Sequence, residues 1–172
     1  MVYTNPQQAT QEQKQKAVLV IFLAIAAAPL IYMAVSEMII RFVFKEGQAG
    51  FSPLQPKVYN MLKIVLYALA GFESVLLAYV KSSLNSGNPS GIAANIFKKR
   101  LSAVVDDFAA AQAFIIFILT FCLSVSIYGL VLFLCNGVRG DSYPLMLLGA
   151  LLCLLFIPTK ENLEKMAVLR KV

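Results

Sequence analysis

The side chains able to do chemistry inside the long apolar stretches of this chain are few. Glu73 stands in VYNMLKIVLYALAGFESVLLAYV, residues 58–80, and at about 1.5 Å per helical residue it lies roughly 20 Å from one end and 10 Å from the other. A carboxyl at that depth is costly if ionised, so it is expected to be protonated, paired or turned to a wet cavity. At about its level the sequence offers Gln112 and the small residues Ala24 to Ala28. Two readings stay open: a neutral Glu73 hydrogen-bonded to Gln112 or to a backbone carbonyl, and a functional proton or ligand site.

Other chemistries lack their residues. The chain has no His, which removes the commonest general base and a frequent metal and haem ligand. Its 3 cysteines, Cys122, Cys135 and Cys153, form no CxxC pair, and the first and last fall within apolar runs, where a thiol packs as a small apolar group. No nucleotide loop and no nucleophile with an adjacent base can be assembled from Glu73, Gln112 and scattered hydroxyls. No catalytic residue, cofactor or metal is therefore expected, and an enzyme is the least favoured class.

The elements that must position Glu73 are membrane helices. Residues are 59% hydrophobic, against 45–50% for a typical soluble domain. The run FAAAQAFIIFILTFCLSVSIYGLVLFL, residues 108–134, carries no charge at all, and an uncharged run of eighteen or more residues reads as a span. Three further runs give spans at about 17–44, 58–80 and 143–157, the last short at about 22 Å. The fold class expected is an all-α integral membrane four-helix bundle of two antiparallel hairpins. Residues 1–172 would form a single transmembrane domain, with helices 3 and 4 extended by amphipathic cytoplasmic segments and a tail at 159–172.

Local signals fill in that outline. Pro29 should kink the first span, and Ala24, Ala27 and Ala28 give it a small face for close packing. A cleaved signal peptide does not fit, because the apolar run exceeds the 7–15 residues of an h-region. Glu37 and Arg41, four apart, suggest a local ion pair, and Lys63 is near enough to its helix start to snorkel. In the third span Ala113, Thr120, Ser124 and Tyr128 form a small, hydroxylated stripe suited to an interhelical contact, with Gly129 beside it, and Asn136-Gly137 reads as a helix C-cap. Asp141 and Ser142 offer an N-cap for the fourth helix, which Pro158 interrupts.

Between spans 2 and 3, SSLNSGNPSG is a linker, after which Phe97, Leu101, Val104, Val105 and Phe108 share one helical face. Lys98, Lys99 and Arg100 beside them suit anionic lipid headgroups, each contact contributing about 1 kcal/mol. The net charge of +6 could indicate nucleic acid in a soluble protein, but here positive-inside topology explains it better. Lys14, Lys16, Lys81, Lys98, Lys99, Arg100, Lys160, Lys165, Arg170 and Lys171 fall on one side and Arg41, Lys45, Lys57, Lys63 and Arg139 on the other, which places both termini in the cytoplasm.

Ser126 to Leu134, SIYGLVLFL, followed by Gly137, resembles the end of the carboxylate-bearing helix of rotary ATP synthase c-subunits. The resemblance implies an ion-binding carboxylate six residues before the Gly of that stretch, a position held here by Leu123, and c-subunits also have a Gly-rich repeat that this chain lacks. Architecture alone carries over. More broadly, the layout is similar to small four-span bacterial inner-membrane proteins of unknown function with a GLVLFL third helix and a short fourth helix ending at Pro, which implies a bacterial inner membrane.

The function expected is that of a non-catalytic membrane subunit or scaffold, partnered by lipid and by other membrane subunits or further copies of the chain. Proton or ion translocation by an oligomer through Glu73 is the alternative. A small-molecule or lipid transporter is the third reading, although the midplane breaks and internal repeats of such proteins reduce here to Pro29.

Overall fold

In the computed structural model the described residues are 6–43, 54–85 and 107–159, and all their regular structure is helical. Four helices follow in order: α1 (Pro6–Phe42), α2 (Pro56–Asn85), α3 (Asp107–Asn136) and α4 (Arg139–Leu155). The segment holding Lys98, Lys99 and Arg100, most of the amphipathic lead-in to α3 and the tail beyond Thr159 lie outside the described residues.

Both α1 and α2 begin on a proline, whose missing N–H is no loss in a first turn and whose fixed φ is already helical. α1 continues through Pro29, as a helix can when its neighbours re-satisfy the freed carbonyl. Gly137 ends α3 with φ 67°, and its N–H reaches the Phe133 carbonyl at 2.6 Å, an αL cap that a side chain would strain. The chain then turns at once into α4. That helix starts earlier than the sequence suggests: Val138 is its N-cap and makes no side-chain cap bond, so Asp141 and Ser142 lie inside the helix instead of capping it. Pro158 follows its last turn, where Phe156 N–H bonds the Cys153 carbonyl.

Three stretches are long and apolar enough to cross a membrane: Lys16–Phe42, Pro56–Ser83 and Gln112–Asn136. α4, at 17 residues, falls short of that length.

α3 is the centre. It packs against each of the other three helices, most extensively α4, and supplies Phe114, Ile115, Ile118, Leu119, Cys122, Val125 and Leu132 to the core. A helix that is apolar all round has no preferred outer face, so it takes the position with most neighbours. α1 and α2 each touch both α3 and α4 but make little contact with one another, and so flank the α3–α4 pair from opposite sides. The expected first hairpin, α1 packed on α2, is therefore replaced by two flanking helices. Only α3 and α4 form a close hairpin.

That hairpin closes on two glycines. A Cβ on Gly129 would come within 2.5 Å of the Ser142 carbonyl oxygen, and one on Gly149 within 2.7 Å of the Cys122 carbonyl oxygen. Backbones approach this closely only where one partner has no side chain, the usual basis of helix association where lipid removes the hydrophobic driving force. The flanking helices turn large apolar side chains outward in stripes; on α2 Ile64, Phe72 and Val75 are 69%, 67% and 70% exposed. Contiguous surface of this kind is a liability in water and natural against hydrocarbon.

Candidate intramembrane polar site

Glu73 lies on the face of α2 that meets α3, half-buried between Ala70 and Leu77, both of which are in the core. Its two carboxyl oxygens have separate partners on α3. Ser124 Oγ is 2.6 Å from Oε2, and Tyr128 Oη is 2.7 Å from Oε1. Ser124 and Tyr128 are four apart, so one face of α3 presents both hydroxyls to one carboxyl. Ser124 Oγ is also 2.7 Å from the carbonyl oxygen of Phe121 on its own helix.

Gln112 is not among Glu73's partners. With α2 and α3 antiparallel and Glu73 opposite Ser124, Gln112 lies about 18 Å farther along α3, near the far end of α2. The expected level failed because it was counted from assumed span ends, whereas the register is set at the opposite end of the helices.

There, three tyrosines and two ion pairs fasten the bundle. Tyr59, Lys63 and Tyr67, one helical turn apart on α2, all reach Asp141 in the first turn of α4: Tyr59 Oη donates to Oδ2 at 2.8 Å, Lys63 Nζ to Oδ1, and Tyr67 Oη to the backbone carbonyl at 2.8 Å. On the other side of α4, Arg139 donates to Glu37 of α1 at 2.9 Å and Tyr143 donates to the same carboxylate. Glu37 thus turns from Arg41 on its own helix to α4. The first turn of α4 holds α1 through a cation and α2 through an anion, two residues apart. The Lys63 ammonium beside Asp141 holds its carboxyl below the usual carboxylate range, outweighing partial burial.

The small residues singled out by the sequence divide. Gly129 lies at the α3–α4 crossing, and Ser124 serves Glu73. Thr120 is exposed and bonds back to the Ile116 carbonyl of its own helix; Ala24 is exposed and Ala28 half-buried on α1. Gly149 and Ser126 escape a wheel drawn for α3 alone, because their role depends on which α4 residue crosses Ser126. The signal was present in the small residues Cys122, Ser126, Gly129, Gly149 and Cys153, whose spacing puts them on matching helix faces.

Among the described residues, no buried side-chain polar atom lacks a hydrogen-bond partner, and no group of three His, Cys, Asp or Glu could hold a metal ion. No protein-family model, no curated protein and no solved structure matches this chain.

Proposed function

We propose that the protein is a non-catalytic integral membrane subunit or scaffold, its four helices set in a membrane with α4 crossing as a short fourth span. The observation that carries this reading is the use made of its polar groups. Glu37, Glu73 and Asp141 each bind side chains of a different helix, so these acidic groups serve to hold helices together. Such contacts keep a definite helix arrangement in lipid, where apolar surfaces alone discriminate poorly. The exposed apolar faces of α1 and α2 are then available to lipid and to companion subunits or further copies. The membrane is proposed to be a bacterial inner membrane with both termini cytoplasmic, on the strength of basic-residue asymmetry and the four-span layout.

Native mass spectrometry of the protein extracted gently from its own membrane tests the proposal. A stoichiometric companion or a closed oligomer is expected; a solitary monomer under every mild condition would remove its support. Proton or ion translocation is the second reading, favoured by the partial exposure of Glu73 at membrane depth.

A further inference from the structure

The oxygen atoms around Glu73 outnumber the hydroxyl hydrogens available to join them. Three short O···O contacts meet there: Tyr128 Oη with Glu73 Oε1 at 2.7 Å, Ser124 Oγ with Glu73 Oε2 at 2.6 Å, and Ser124 Oγ with the Phe121 carbonyl at 2.7 Å. A two-centre hydrogen bond at these lengths needs its own hydrogen, and one serine hydrogen shared between two acceptors at 2.6 and 2.7 Å would be well aligned with neither. A tyrosine and a serine hydroxyl bring one hydrogen each, and a carbonyl or an ionised carboxylate brings none. One contact would be left as two acceptors facing each other.

We infer that Glu73 is a proton-binding site, its carboxyl holding a proton on Oε2 and donating it to Ser124 Oγ. Ser124 then gives its own hydrogen to the Phe121 carbonyl, Tyr128 donates to Oε1, and all three contacts are satisfied. Heavy-atom geometry allows either direction for a bond between two hydroxyl-bearing oxygens, so the count of hydrogens decides it. The surroundings agree. Tyr128 and Cys122 of α3 are titratable groups in electrostatic contact with Glu73, and neither is a cation. Among the described residues, Lys63 pairs with Asp141, Arg139 pairs with Glu37, and Lys81 lies over the ring of Phe156 at 5.6 Å. A neutral acid also avoids the large cost of an unpaired carboxylate in hydrocarbon.

The same geometry sets what the proton does. The chain of hydrogen bonds ends on a backbone carbonyl, which has no hydrogen to pass on, so the site stores a proton and joins α2 to α3 through it. This goes beyond the subunit reading and does not depend on any companion.

Infrared spectroscopy of the protein in lipid vesicles at neutral pH, wild type minus Glu73→Gln, tests the inference. A protonated carboxylic C=O band is expected in the difference, displaced by deuterium exchange and by labelling wild type with 13C-glutamate. Ser124→Ala should move this band without abolishing it, because the acid loses its acceptor and keeps its proton. Carboxylate stretching bands in place of the acid band would overturn the inference, as would an acid band that Ser124→Ala leaves unmoved. If the glutamine variant fails to fold, the shift of the labelled acid band by Ser124→Ala assigns it to Glu73 among the chain's glutamates.

Discussion

Gly149 of α4 lies so close to Ser126 of α3 that a Cβ on the glycine would come within 2.0 Å of the serine Oγ. The Cys122 carbonyl oxygen and the Ser126 nitrogen bound the same space at 2.7 and 3.0 Å, so rotation of the serine alone would not clear it. Gly149→Ala is expected to force α3 and α4 apart, lowering stability by about 1–3 kcal/mol as overpacking does. Gly71, around whose Cβ position nothing lies within 4 Å, is the control, and Gly71→Ala should match wild type or exceed it by a few tenths of a kcal/mol. Thermal unfolding of both variants in one detergent measures the contrast.

Arg139 and Asp141 hold different helices, so their losses should be separable. Arg139→Gln is expected to loosen α1 from α4, and Asp141→Asn to loosen α2 from α4. Spin labels on exposed Met38 and Phe72 would report each movement by distance measurement, with each variant displacing its own helix and leaving the other in place. Restoring charge in reverse, with Glu37→Arg and Arg139→Glu combined, should recover part of the α1 contact.

Asp141 also sets a pH dependence. Its pKa is lowered in the fold, so the stability it contributes is fully present above the unfolded carboxyl value of about 3.9 and is lost as pH falls through the lower folded value. The difference in melting temperature between wild type and Asp141→Asn should therefore be constant from neutral pH down to about 5 and shrink only below about 4. A difference that narrows already near neutral pH would mean the carboxyl is not held by Lys63.

Tyr128→Phe and Ser124→Ala each remove one partner of Glu73. Either change is expected to destabilise the α2–α3 contact by about 0.5–2 kcal/mol, the range for an interhelical hydrogen bond in lipid. Hydrogen exchange along the middle of α2 would register the loss. Equal losses from the exposed Thr120→Ala would argue against a specific contact at Glu73.

The spanning runs were legible in the sequence because lipid demands long apolar stretches, and the Gly137 stop is a local signal, whereas the helix starts at Pro6 and Pro56 lie ahead of the runs read at 17 and 58. The depth of Glu73 marked it for the same reason. Its partners were not legible. Ser124 and Tyr128 stood out as a stripe, but which α2 residue faces them depends on the register that Tyr59, Lys63, Tyr67 and Asp141 impose across the loops. Glu37 illustrates the limit further: a neighbour four residues along the helix was the simplest partner in one dimension, and Arg139 on another helix is the partner in three. The flanking arrangement of α1 and α2 likewise has no one-dimensional signature, since it follows from α3 accepting neighbours on every side.

The central claim is that the polar groups within these helices serve structure and do not carry ions. Proton flux into vesicles reconstituted with the full chain, driven by an imposed pH gradient and potential, tests it most directly with wild type beside Glu73→Gln. The expected result is the same slow leak from both, equal to that of empty vesicles. Flux in wild type that disappears in Glu73→Gln, with the variant folded, would contradict it and make Glu73 a translocating group.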